Sequence, residues 1–147
     1  MAKAEDIIAR LAVVLASVSG LSTDRVVRGQ PSGLNEGASP PVAWLYVDGP
    51  LTSTFEAELT SVLFRLSVVI IAVPNVSGST YALKEAAVLD LCDGIGTAIQ
   101  GDATLQALLY DAPQIAGALT YDVDGIGPAV VALRVDLSYI LDYGSGV

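Results

Sequence analysis

Asp122-Val123-Asp124-Gly125 sets two carboxylates on alternate positions ahead of a glycine, an arrangement from which oxygen ligands can converge on a hard cation. Here glycine follows the second aspartate directly, and the twelfth position is Leu133 where a calcium loop carries a bidentate glutamate. Asp-Gly between two alternating apolar runs predicts a hairpin turn instead. Glu56 with Glu58 and Asp90 with Asp93 are the other close carboxylate pairs. Two positions apart on a strand, carboxylates share a face at roughly 7 Å, a separation acid/base chemistry can use. Each such strand pair lies beside a turn, however, and all three pairs are expected to be solvated edges.

The remaining chemical candidates read as structure. Gly94-Ile95-Gly96 falls inside a helical pattern rather than between a strand and a helix, so it predicts close packing and not a nucleotide fingerprint. Gly78-Ser79-Thr80 opens a helix, where an anion could sit, but no Walker lysine follows, and Ser79 is expected to cap the helix. Asn75-Val76-Ser77 reads as a polar turn. Cys92 stands alone, so no internal disulfide forms. No histidine exists anywhere to lower its pKa, and only Lys84, two turns back, is basic nearby. The sequence nominates no catalytic residue, cofactor or metal ligand, and the chain is expected not to be an enzyme.

Composition directs attention to surfaces. Of 147 residues, 52% are hydrophobic and only 16% charged, with mean hydropathy +0.59; ordinary soluble domains carry about 25% charge. A chain of this length buries roughly 70% of its unfolded surface, enough for a core without metal or disulfide. The apolar excess predicts self-association, because contiguous exposed apolar surface marks interaction sites. Seven basic against sixteen acidic residues leave a net charge of -9, which repels phosphate backbones and excludes tight nucleic-acid binding.

The elements that position these residues follow from periodicity. An amphipathic helix is predicted from about Ala4 to Val18, its first turn holding Glu5 and Asp6, which argue against a secretory leader. No apolar run is long enough to span a bilayer, and the expectation is a soluble protein made in the cytoplasm. A short strand at 24–28 precedes a Gly/Ser/Pro loop, 29–41, either mobile or ordered by a partner. Pro41 to Val47 reads as a strand covered on both faces, ended by Asp48-Gly49-Pro50, with a polar connector from Leu51 to Ala57. Glu58 to Val73 reads as a long strand with Val62, Phe64, Leu66, Val68 and Ile70 on one face. Beyond Ser67 the alternation disappears, so that half is either central in the sheet or pressed against another subunit.

A helix is expected from Ser79 to about Gln100, its buried face holding Ala87, Val88, Leu91, Cys92, Ile95, Ala98 and Ile99, with Lys84, Glu85, Asp93 and Thr97 turned away. Asp102 can cap a short helix through Leu109. Two strands follow, joined by a hairpin at Asp124 to Pro128. The second alternates Val131, Leu133, Val135, Leu137, Tyr139 and Leu141 with Arg134, Asp136, Ser138 and Asp142. A frayed tail, 144–147, ends the chain. Together these predict one α+β domain over residues 1–147, a mainly antiparallel sheet with two main helices packed on one face and a short extra helix.

Asp102-Ala103-Thr104-Leu105 through Leu108-Leu109 and Asp111-Ala112, then Leu119-Thr120-Tyr121-Asp122 and the final strand Val130 to Tyr139, resemble the C-terminal half of the bacteriophage tail terminator (tail completion) family. The likeness spans about Glu5 to Asp142 and lies in element order and local texture. The resemblance implies a virion protein of the tail or neck that forms a hexameric ring, caps the tail tube, fixes tail length and docks the head connector. Its partners would be further copies of itself, the tail tube protein, the head-closure or connector protein and, in a contractile tail, the sheath. DNA would pass through the lumen without specific binding. Two alternatives stay open: another neck component (head closure or head-tail joining), and a dimeric cellular α+β module that binds a small apolar ligand. No motif of the family transfers residue by residue, so interface candidates come from the residues themselves. Leu34 and Asn35 in the loop, and Asp48, Leu51 and Phe55 in the connector, are expected to make contacts along the tail axis. Val69, Ile71 and Val73 are expected to pack subunits together.

Overall fold

Helix α1 (Lys3–Ala16) carries Glu5 and Asp6 in its first turn, where the positive end of the helix dipole favours them. Its apolar residues recur at helical spacing, and Ile7, Ile8, Leu11, Val14 and Leu15 are all buried. Full burial of each such side chain contributes about 1.5–3 kcal/mol. In the computed structural model the described residues are 3–18, 21, 25–29, 42–49, 52–55, 61–75, 80–120 and 130–142. After α1 come β1 (Val26–Arg28), β2 (Val42–Val47), β3 (Thr52–Phe55), β4 (Ser61–Val73), α2 (Tyr81–Gly101), α3 (Ala103–Leu108), β5 (Gln114–Thr120) and β6 (Val130–Asp142).

The strands form one sheet in the order β1-β2-β4-β6-β5, with β3 paired to β4. Every pairing is antiparallel except β1 with β2, which is parallel. The two long strands, β4 and β6, pair from Ser61 opposite Asp142 to Ala72 opposite Val131 and form the spine. Their inward residues Leu66, Val68, Ile70, Val131, Leu133, Val135 and Leu137 share a core with α1, with Val88, Leu91, Ile95 and Ile99 of α2, and with Leu105 of α3. This is the expected α+β fold, with both main helices and the short one on one face. Phe64 and Tyr139, opposite each other in the register, stack with ring centroids 5.3 Å apart.

Three sequence expectations are corrected. Residues 51–57 are not wholly a connector. Val47 pairs with Val68, the Asp48 amide donates to the Ser67 carbonyl at 2.9 Å, and Thr52 pairs with Arg65. β2 thus leaves the edge of β4 after Asp48, and β3 occupies the same edge from Thr52 onward. Gly49, at φ 83°, takes the left-handed backbone that this excursion uses. β2 ends at Val47, as the sequence predicts from Asp48-Gly49-Pro50, and β3 forms because the free backbone edge of β4 continues to offer hydrogen bonds.

Second, α2 is capped by Thr80, not Ser79: the Thr80 hydroxyl accepts from the Leu83 amide at 3.3 Å. Third, Lys84 lies on the buried face, 8% exposed. Its position falls in line with Val88, Leu91, Ile95 and Ile99, and a lysine's aliphatic stem tolerates such burial. The Gly94-Ile95-Gly96 step is half explained by packing. A Cβ on Gly94 would lie 3.3 Å from Val18 Cγ1, whereas one on Gly96 would meet nothing within 4 Å.

Polar ties hold α1 to three other elements. Lys3 Nζ donates to the Ile140 carbonyl of β6 at 3.1 Å. Glu5 pairs with Arg28 of β1, and Arg10 makes a two-pronged pair with Asp102, at the junction of α2 and α3, at 2.8 and 2.7 Å. Asp102 also accepts from the Leu105 amide at 2.8 Å and so caps α3 as the sequence predicts.

Candidate functional site

All three helices pack on the sheet face that carries Leu66 and Leu133, so strand alternation turns the other residues of β2, β4 and β6 to the opposite, outer face. Along β4 that face reads Leu63, Arg65, Ser67, Val69, Ile71 and Val73. Register then divides it into an apolar zone and a polar band.

In the apolar zone Val69 lies opposite Tyr46, Ile71 opposite Trp44 and Ala132, and Val73 opposite Val42. Val69, Ile71 and Val73 are each half-buried, and so is Tyr46. The sequence left two explanations for the lost alternation of this segment, and β4 is indeed central, flanked by β2 and β6. Even so, three β-branched side chains are left partly open to solvent. Ala116, Ala132 and Val69 line a shallow depression of about 350 Å³ beside them. Trp44 is 6% exposed, and its indole Nε1 is buried without a hydrogen-bond partner among the described residues. Such an orphaned donor costs about 1–3 kcal/mol.

The polar band crosses the strands one step further along. Arg134 Nη1 donates to the Ser67 hydroxyl at 2.9 Å, and its Nη2 pairs with Asp48. The Ser67 hydroxyl donates in turn to Asp136 at 2.8 Å. Ser67 and Asp48 therefore fix the Arg134 guanidinium against the sheet, with Asp136 holding the Ser67 hydroxyl. Next to it, Arg65, Ser67, Gln114, Ser138, Asp111 and Asp136 edge a groove of about 540 Å³.

The sequence-nominated residues fare differently. Val69, Ile71 and Val73 come together on the outer face, and Asp48 joins the same face through Arg134. Phe55 belongs to β3, opposite Val62. Leu34, Asn35 and Leu51 lie outside the described residues, as do the 30–41 loop, Glu56, Glu58, Asp122, Asp124, the hairpin at 124–128 and the tail from 144. Asp90 and Asp93 are exposed on α2. Cys92 is half-buried, and burial, aided by the negative charge of Asp93, pushes its thiol above the ordinary value. Sequence reasoning missed the Asp48–Arg134–Ser67–Asp136 network. Its only trace is the outward polar phase of β6, because the cross-strand register that joins its members spans 86 positions of chain.

Among the described residues no group of three or more potential ligands could hold a metal ion, and no helix is long and apolar enough to cross a membrane. The fold and this face define a two-layer α+β domain with helices on one side and a partly apolar sheet surface on the other. The chain matches no protein-family model and no curated protein sequence.

Proposed function

We propose that the chain is a structural protein of a bacteriophage tail, a terminator whose copies form a ring that caps the tail tube and receives the head connector. One observation carries this reading: the half-open stripe Val69, Ile71 and Val73 on a sheet face that none of the three helices covers. Contact with another protein chain would remove that apolar area from water at about 25 cal/mol per Å². The element order resembling the terminator family and the net charge of -9, which would let DNA slide through a lumen, support the same reading.

Electron microscopy of the purified protein, alone and mixed with tail tubes lacking their cap, tests it. Six-fold rings that bind tube ends are expected; rings that ignore tube ends would favour another neck component. Val69→Asp and Ile71→Asp should abolish ring formation while circular dichroism shows a folded chain, and rings that persist in both would refute the role of the stripe.

A second reading has one observation in its favour. An apolar groove of about 430 Å³ between α1 and β1, lined by Ala12, Val13, Ala16, Ser17, Val26 and Arg28, has the size of a small-molecule site. A dimer whose melting temperature rises with an apolar ligand would support that binding module instead.

A further inference from the structure

We propose that neighbouring copies join head to tail, the outward face of α2 in one copy lying on the outer sheet face of the next, with Asp90 and Asp93 meeting Arg65. The inference rests on the ring reading above and names the surfaces that would close it.

The charges single out these residues. Arg10 is paired with Asp102, Arg28 with Glu5 and Arg134 with Asp48, while Lys3 donates to a carbonyl. Arg25 and Lys84 also have partners. Among the described residues that leaves Arg65, exposed at the rim of the 540 Å³ groove, as the one basic side chain without a hydrogen bond or ion pair. Asp111 and Asp136 edge the same groove, but neither lies within ion-pair distance of it, and Asp136 is engaged by Ser67. Ser138 and Gln114 stand beside Arg65 with further polar groups that an incoming carboxylate could use.

The outward face of α2 is the complement. Of the six large hydrophobic residues that are exposed among those described, three belong to this helix: Tyr81, Leu83 at 41% and Leu89 at 43%. Ala82 and Ala86 are exposed with them, and Asp90 and Asp93 follow at helical spacing. The one lysine of α2, Lys84, is on the buried face, so no cation offsets the two aspartates there. An apolar strip ending in two carboxylates on the helix side thus has its counterpart on the sheet side, in the stripe Val69, Ile71 and Val73 with Arg65 further along β4, beyond the polar band at Ser67.

These surfaces lie on opposite sides of one sheet. A contact of like with like would bring two sheet faces together, leave Asp90 and Asp93 without a cation, and stop at a dimer. A contact of helix face on sheet face leaves one of each unused on every copy, which is the condition for a closed ring.

Charge reversal in the full chain tests the contact by sedimentation velocity and native mass spectrometry. Arg65→Glu should raise the dissociation constant between copies at least about tenfold, and so should Asp90→Arg with Asp93→Arg. All three substitutions together, or a mixture of the Arg65→Glu chain with the doubly reversed chain, should restore assembly, because each mixed contact again joins opposite charges. Unchanged thermal midpoints will show that every variant folds. Assembly of Arg65→Glu at the affinity of the original chain, loss without rescue, or an original chain that never associates would each overturn the inference. If the original chain caps tubes while reversal has no effect, the contact is wrong and the terminator reading stands. If charge rescue holds while no tube is capped, the contact stands and that reading falls.

Discussion

Replacing Asp102 tests how the helical layer is held together. Its carboxylate receives Arg10 through two nitrogens and the Leu105 amide at 2.8 Å, so one side chain joins α1 to the α2–α3 junction and caps α3. Asp102→Ala removes both functions. Loss of the cap alone costs about 1 kcal/mol, within a range of about 0.5–2. For 147 residues, an unfolding entropy of about 2.1 cal/mol/K per residue converts each kcal/mol into roughly 3 °C of melting temperature. Asp102→Ala should therefore melt at least about 3 °C lower by circular dichroism at neutral pH. Asp102→Asn keeps an oxygen for the Leu105 amide and loses only the charge, so it should fall between the original chain and alanine. The hydrogen bonds from Arg10, with a smaller contribution from the Leu105 amide, outweigh burial and hold this carboxyl below the ordinary aspartate value. A depressed folded pKa stabilises the fold fully above the unfolded value, about 3.9, and that contribution disappears as pH falls through the folded value. The gap between the original chain and Asp102→Asn should thus be widest near neutrality and close in acid. A gap that stays constant with pH, or an asparagine variant less stable than alanine, would refute the assignment.

Gly117→Ala should destabilise by about 1–3 kcal/mol in urea unfolding, because its Cβ would stand 2.3 Å from Leu133 Cδ2 in the core and 3.3 Å from the Ala132 carbonyl. In a Leu133→Ala background that cost should vanish, and additive losses would contradict the contact. Gly96→Ala should stabilise by about 0.4–1 kcal/mol, since its Cβ meets nothing within 4 Å inside α2, whereas Gly94→Ala, facing Val18 at 3.3 Å, should gain less. Equal gains at both positions would show that Val18 yields freely. Cys92, with its thiol pushed up by burial and by Asp93, should react with iodoacetamide at neutral pH more slowly in the folded chain than in the urea-unfolded one. Equal rates would mean that the thiol is open.

Period and local chemistry were enough for much of the fold. The 3.6-residue spacing of Ile7, Leu11 and Leu15, and of Val88, Leu91, Ile95 and Ile99, is settled within single helices. The two-residue alternation of Val131 to Leu141 is settled within one strand, and the Asp102 cap within three residues. Each depends on interactions close along the chain, so each could be read from it. Lys84 could not, since the helical line that buries it extends the apolar face by one further step, and only packing against the sheet decides whether a long aliphatic stem is covered there. Nor could β3, because Thr52 to Phe55 become a strand through the open edge of β4, which β2 vacates after Val47. The parallel pairing of β1 with β2 and the network that brings Asp48, Ser67 and Asp136 around Arg134 are likewise matters of register between distant segments. The sequence by itself determined which residues are apolar and with what period. Tertiary structure decided which of those surfaces face one another and which remain open, because hydrogen bonding between strands is blind to side-chain identity until the whole sheet has chosen its order.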